Sequence, residues 1–388
     1  MKILTRTVIL LSLVSLLTDI SSEMLYPILP IYLKSIGFSA VFIGILEGIA
    51  EAASGLSKGY FGSLSDKLGK RLPFVQIGYG LSSLAKPMMA IFTFQGWIFL
   101  ARTLDRLGKG IRTAPRDALL NQESTPENKG KVFGFHRGAD SFGAAIGPFI
   151  ALGFLYFYPE SYRELLLLAF IPAVIGVAVS FFINSKKSET KSNEIKALSQ
   201  FIKYYPKSPI AYKKTVLGLL LFGLFNSSDF FLLLMIKEKL GDDSYVLFIY
   251  IFFNLIYSLL SYPLGGIADK YGFKRTFSTG LILFACVYSS MSINDSLVGY
   301  FIIFLFYGAF MAATEGVSKA WLSSLVEKSE AGTALGTYAS LASLTTLIAS
   351  SLAGVIWSLF GPEYVFLFAG IGALGAWGYF SMGYKTTI

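Results

Sequence analysis

Apolar runs long enough to cross a bilayer recur along the chain, separated by short polar gaps. They lie near 7–33, 38–62, 73–93, 96–118, 130–157 and 163–184, then near 213–236, 245–268, 276–293, 297–320, 332–357 and 363–384. A membrane helix takes roughly 20 apolar residues, so each window predicts one spanning helix. The expected fold is all-α and polytopic, with twelve transmembrane helices in two six-helix bundles. The bundles are residues 1–184 and 213–388, joined by a polar segment, 185–212, read as a cytoplasmic linker. That linker is rich in Lys and Ser, and Ile195, Leu198 and Phe201/Ile202 are spaced for a short surface helix. The first window begins like a signal peptide. It continues through Asp19 and Glu23 to Tyr32 without a small-residue cleavage site, so it reads as a retained helix.

Composition narrows the chemistry. The chain has 388 residues, 54% hydrophobic and only 15% charged, with mean hydropathy +0.60. One Cys (Cys286) excludes a disulfide framework or a thiolate metal site, and one His (His136) excludes a His-rich metal centre and most His-dependent nucleophilic catalysis. No phosphate-binding glycine loop, HExxH or GxSxG motif is present. Neither an enzyme nor a cofactor is expected. The net charge of +9 points first to topology. With the N-terminus in the cytoplasm, loops and termini on that side hold 20 Lys and Arg against four opposite. This positive-inside bias places both termini in the cytoplasm. It also assigns the basic excess to the membrane rather than to nucleic acid. The expected location is the plasma (inner) membrane.

The two bundles echo each other. Gly62-Ser-Leu-Ser-Asp66-Lys67-Leu-Gly69-Lys70-Arg71 follows the second window, and Gly265-Gly-Ile-Ala-Asp269-Lys270-Tyr-Gly272-Phe-Lys274-Arg275 follows the eighth. Gly, Asp, Lys and Gly match at a constant offset of 203, while Gly130 and Gly134 fall on Gly332 and Gly336 when the offset drops by one. Two halves of like orientation form the parallel repeat found in many secondary transporters. On these residues the chain resembles the major facilitator superfamily over essentially its whole length. A run of Gly134, eight residues, Gly143, three residues and Gly147-Pro148 is similar to the fifth-helix motif of the drug:proton antiporters. Arg106-Leu-Gly-Lys109-Gly110-Ile-Arg112 loosely resembles their fourth-helix motif. The resemblance implies a cytoplasmic gate built on Gly62, Asp66, Gly69, Arg71, Gly265, Asp269 and Gly272. It also implies a charge relay from Asp66 to Arg116 and Asp117, with Arg112 beside them. In helix 5, Gly134, Gly143 and Gly147 strip side chains from one face so that another helix can approach closely, and Pro148 is a candidate hinge.

Ionisable groups inside a membrane are functional by default, and most of them lie in the first half. Asp19 and Glu23 are one turn apart, as are Glu47 and Glu51. Arg102, Arg106, Lys109 and Arg116 form a basic stripe on helix 4, and Asp140 lies on helix 5. The expected coupling and substrate set is therefore Asp19, Glu23, Glu47, Glu51, Arg102, Arg106, Lys109 and Asp140. Burial favours the neutral carboxyl and a nearby Arg favours the charged one, so such a set can load and release protons. Local ion pairs are the competing reading, with Asp105–Lys109 and Arg137–Asp140 the natural partners. The function expected is a secondary active transporter working by alternating access, which exports a small amphipathic or anionic compound against protons. The partners are a small-molecule substrate, protons and the lipid bilayer, and the protein is expected to act as a monomer. An organic-anion importer or exchanger is the alternative, with a membrane-embedded enzyme or lipid-handling protein more distant.

Overall fold

The computed structural model describes residues 4–38, 40–184, 200–241 and 243–382. The long elements among them are all α-helices. Helices α1 (Arg6–Leu25) and α2 (Leu29–Ser35) share the first apolar window, and α3 (Ala40–Leu68), α4 (Leu72–Ile91), α5 (Gln95–Glu123), α6 (Lys129–Phe157) and α7 (Tyr162–Ser180) fill the next five. Helix α8 (Gln200–Lys207) lies in the linker. Residues 185–199, including Ile195 and Leu198, are outside the described residues, as are the side chains of Phe201 and Ile202. The second half runs α9 (Ile210–Gly223), α10 (Phe230–Leu240), α11 (Asp243–Tyr271), α12 (Phe273–Met291), α13 (Leu297–Ser324), α14 (Ala331–Phe360) and α15 (Pro362–Ser381).

The first and seventh windows are each split into two helices, at corresponding places in the repeat. Pro27 has no N–H to offer the carbonyl of Glu23, so α1 stops two residues before it. The seventh window breaks over Leu224–Asp229, where Asn226, Ser227, Ser228 and Asp229 bring side chains that compete for backbone hydrogen bonds. Ser350 Oγ accepts from the Ser228 N–H (3.1 Å) and holds that break in place.

Several helices overrun their apolar windows. Helix α3 continues six residues past 62, so Asp66 sits in a last helical turn and not in a loop. Helix α11 likewise carries Asp269. Only then does the chain turn, through Gly69 (φ 61°) and Gly272 (φ 97°). Those left-handed positions require glycine, which explains the duplicated second Gly of the motif. Among the described residues, α1, α6, α7, α11, α13, α14 and α15 are long and apolar enough to cross a membrane on their own. The charged stripe keeps α5 out of that set, and the break keeps out α9 and α10.

The chain divides into two compact units. The first comprises Met1–Ser124, Ala139–Tyr205 and Glu327–Ser340; the second comprises Thr125–Gly138, Pro206–Val326 and Leu341–Ile388. Thus α6 begins in the second unit and ends in the first, while α14 does the reverse.

In the first unit, α5 packs on α3 and α4, and α7 packs on α1 and α4. Glycines set the α4–α5 approach: a Cβ on Gly78 would lie 2.6 Å from the Gly108 carbonyl oxygen, and one on Gly108 would lie 2.6 Å from that of Gly78. Close approach of this kind is what holds helices together where lipid removes the hydrophobic drive. The second unit packs α13 on α11 and α12, and α15 on α12. Its interior is aromatic. Phe284 stacks on Tyr288 (centroids 3.8 Å apart) and meets Phe222 and Phe310 edge-on at 5.0 Å, and Tyr307 stacks on Phe253 at 5.0 Å.

Candidate transport cleft and helix caps

The α4–α5 approach places a set of charges around one cleft of the first unit. The cleft has about 590 Å³ of unfilled space, part of it open to the outside. It is lined by Asp19, Glu23 and Asp105 and by Lys86, Arg102, Arg106, Lys109 and Arg112, with Tyr26 and Met89 among its less polar walls. Five bases against three acids leave the lining net positive.

Each charge has a defined setting. Arg102 Nη1 donates to Asp105 Oδ2 (3.0 Å), and Lys86 Nζ lies 3.9 Å from Asp105 Oδ1. The expected turn-to-turn partner of Asp105 was Lys109; the packing of α4 on α5 supplies Lys86 instead. Lys86 is 2% exposed and also donates to the Ser82 carbonyl (3.1 Å). Arg106 Nη1 reaches Glu51 Oε1 at 3.1 Å. The side chain of Glu47 lies outside the described residues. Arg112, expected at the gate, instead lines the cleft. Its Nη1 donates to Ser82 Oγ (2.7 Å) and its guanidinium carbon lies 4.5 Å from the Tyr79 ring centroid, a cation–π contact.

Arg116 and Asp117, expected to relay to Asp66, are buried with each other. Arg116 Nε and Nη2 donate to Asp117 Oδ1 at 3.1 and 3.0 Å, and Nη1 donates to Ser15 Oγ at 3.0 Å and lies 3.9 Å from Asp140 Oδ2. Asp140 therefore joins this triad, outside the lining of the cleft. Arg137 Nε donates to Tyr257 Oη (2.5 Å) in the second unit.

The ion pair of Asp66 is with Arg71, whose Nη2 and Nε donate to Asp66 Oδ1 at 2.8 and 3.1 Å. Arg71 also donates to the Ala118 carbonyl (3.3 Å) and the Lys328 carbonyl (2.6 Å). The other carboxylate oxygen of Asp66 accepts from the Thr333 N–H (2.6 Å) and Thr333 Oγ1 (3.0 Å) in the first turn of α14. In the second unit Asp269 accepts from the N–H groups of Gly130 (2.5 Å) and Lys131 (2.9 Å), in the first turn of α6. Both acids thus cap a helix N-terminus, where unpaired N–H groups and the helix dipole favour a negative charge.

The glycines make these caps reachable. A Cβ on Gly62 would strike the Gly332 carbonyl oxygen, and one on Gly265 would strike that of Gly130. One turn away, Gly336 lies against Lys58 and Gly134 against Ser261. Gly143 and Gly147 face a different helix: an added Cβ would lie 2.6 Å from the Leu16 and Ile20 carbonyl oxygens of α1. The fifth-helix glycines therefore serve two neighbours in succession. Helix α6 runs unbroken through Pro148.

A serine completes each crossing, from opposite partners. Ser340 Oγ of α14 donates to the Gly55 carbonyl (2.8 Å), whereas Ser258 Oγ of α11 donates to the Gly138 carbonyl (2.7 Å). The sequence reading missed both serines and also Ser82; for Ser82 the spacing of Gly78 and Gly108 was the available signal.

A family model described as the Major Facilitator Superfamily matches residues 11–253 and 229–384. The chain belongs to the major facilitator superfamily. As a superfamily member it is a multi-pass integral membrane transporter and not an enzyme. An uncharacterized MFS-type transporter of Methanocaldococcus jannaschii is 34% identical over 379 residues, covering 96% of this chain and 93% of the relative. The quinolone resistance protein NorA of Staphylococcus aureus is 30% identical over 129 residues, 33% of each chain. Among solved structures, the human organic anion transporter MFSD10 superposes with TM-score 0.82 at 16% identity, covering 97% of this chain and 99% of that one. That likeness carries the fold.

Proposed function

We propose that this protein is a proton-coupled secondary transporter that exports a small amphipathic or anionic organic compound from the cytoplasm, across the plasma (inner) membrane, by alternating access. The observation that carries the reading is the first-unit cleft, where Asp19 and Glu23 stand among Lys86, Arg102, Arg106, Lys109 and Arg112. A cleft with surplus positive charge attracts an anion. Carboxylates inside it exchange protons as the anion arrives and leaves, because their protonation depends on how many cations remain unneutralised. Asp19 interacts electrostatically with Glu23, Lys109, Arg112 and Asp140, so the set responds together.

The caps made by Asp66 and Asp269 serve as the cytoplasmic gate in this reading. Each holds the start of a helix whose two ends belong to different compact units, so releasing a cap frees that helix end to move. Both chain termini then lie in the cytoplasm, as the positive-inside bias requires. The partial likeness to the quinolone resistance protein supports export. The surplus of bases, with the fold shared with an organic anion transporter, favours organic-anion exchange or import as the second reading.

The test is flux in proteoliposomes with an imposed pH gradient, using a quinolone and a panel of small organic anions as probes. Proton-driven flux that Asp19→Asn abolishes supports the proposal. Anion-for-anion exchange indifferent to the gradient selects the second reading.

A further inference from the structure

The second unit holds a carboxylate that the cleft does not use. Asp229 closes the break of the seventh window, immediately before α10 begins at Phe230. Tyr307 Oη of α13 donates to Asp229 Oδ1 over 2.6 Å. Tyr307 is 1% exposed, and Tyr288 of α12, also buried, has its ring centroid 6.3 Å from that of Tyr307. The charged groups acting on Asp229 are Glu315 of α13 and Arg137 of α6. Arg137 is engaged with Tyr257, through the 2.5 Å hydrogen bond and a guanidinium 5.3 Å from the ring centroid. On the same break, Asn226 Oδ1 and Ser227 Oγ are buried without a hydrogen-bond partner.

An ionised Asp229 in this setting has one neutral donor, a like charge in Glu315, and a cation already bound elsewhere. Taking up a proton removes the buried charge. The new O–H then needs an acceptor, and the broken segment carries two that are unsatisfied. The first unit offers a parallel: its first window breaks at Pro27, just after Glu23. Interrupted helices at matching places in two repeats mark ion and substrate sites in transporters built this way.

We propose that Asp229 is a second proton-binding carboxylate, loaded from water on one side of the membrane and emptied to the other, with Tyr307 as the positioning residue that sets when it ionises. The chemistry is a bare protonation, –COO⁻ plus H⁺ giving –COOH, and needs no other reactant. Transport then carries protons at a site in each half of the chain.

Infrared difference spectroscopy of the purified full chain, titrated with acid, reads carboxyl protonation directly with the proton as probe. The wild type should show a buried-carboxyl band that Asp229→Asn removes and Asp19→Asn keeps. Tyr307→Phe should keep the band and move its midpoint up by about one to two pH units, because the hydroxyl favours the ionised form. Asp229→Glu should keep a band at a shifted frequency, which covers the case in which Asp229→Asn does not fold. A carboxyl spectrum that loses no component in Asp229→Asn, or a midpoint unmoved in Tyr307→Phe, overturns the proposal. Loss of the band on adding sodium chloride at constant pH overturns it as well, and assigns the site to sodium. Because this reads the resting protein, failure of Asp19-dependent flux with the Asp229 band intact would reject the cleft mechanism alone.

Discussion

The two compact units answer the same architectural problem with different interiors. The first unit fills its centre with paired charges: Lys86, Arg102 and Asp105 on α4 and α5, and Arg116, Asp117 and Asp140 beside them. The second fills the equivalent volume with rings, from Phe222 through Phe284 and Tyr288 to Tyr307 and Phe253. Buried charges are held only where partners offset their desolvation, whereas edge-on and stacked rings each add about 0.5–1.5 kcal/mol beyond their area. The difference teaches that a duplicated fold can keep its helix crossings and still separate its tasks. Paired buried charges concentrate in one half and stacked rings in the other, with Asp229, Glu315 and Arg137 among the charged groups that the aromatic half also carries.

Four substitutions can break or sharpen that contrast. Gly147→Leu should have the largest effect. A side chain there meets the Ile20 carbonyl oxygen and the Met24 nitrogen of α1, so both folded yield and transport should be lost. A Gly147→Leu protein with the thermal stability of the wild type would place the packing of the charged half elsewhere. Phe284→Ala comes next, at about 3–5 kcal/mol of stability. It should lower the melting temperature in detergent while leaving the pH dependence of flux unchanged. A changed pH profile would show that the ring stack also sets the ionisation of Asp229 through Tyr288 and Tyr307.

Asp66→Asn leaves Arg71, 2% exposed, without its ionic partner. Asn can still accept from the Arg71 guanidinium and Thr333 but carries no charge, so flux should fall at least about tenfold while expression holds. Asp269→Asn should cost less, about two- to tenfold, since it weakens two hydrogen bonds to backbone N–H groups. Equal effects at the two positions, measured in one flux assay, would show that the caps do not differ as their partners do.

Much of this architecture is legible in the sequence. The apolar windows place the helices because lipid demands length and hydropathy together, and the duplicated Gly-Asp-Gly motif marks the two crossings. The sequence hid what depends on helix faces meeting. Asp66 follows the end of the second apolar window, yet α3 continues through it to Leu68, because polar residues can extend a helix beyond its apolar run. Arg112 and Arg116 look interchangeable on a helical wheel. Gly78 lets α4 approach near Arg112, so Tyr79 and Ser82 claim that residue, while Asp117 and Asp140 claim Arg116. The break at Pro27 had a local signal, and the one at Asn226–Asp229 a weaker signal in four consecutive polar residues.

The cleft itself is tested most directly by exchanging its charge. In proteoliposomes under an imposed pH gradient, Arg106→Ala should weaken uptake of the anionic probes about tenfold. It should also move the optimum of flux to higher pH, because a carboxylate that loses a neighbouring cation keeps its proton longer. In the same vesicles Asp19→Asn should abolish gradient-driven flux while leaving probe binding intact. Flux that ignores the gradient in the wild type, or persists undiminished in both Asp19→Asn and Glu23→Gln, would contradict proton coupling through this cleft.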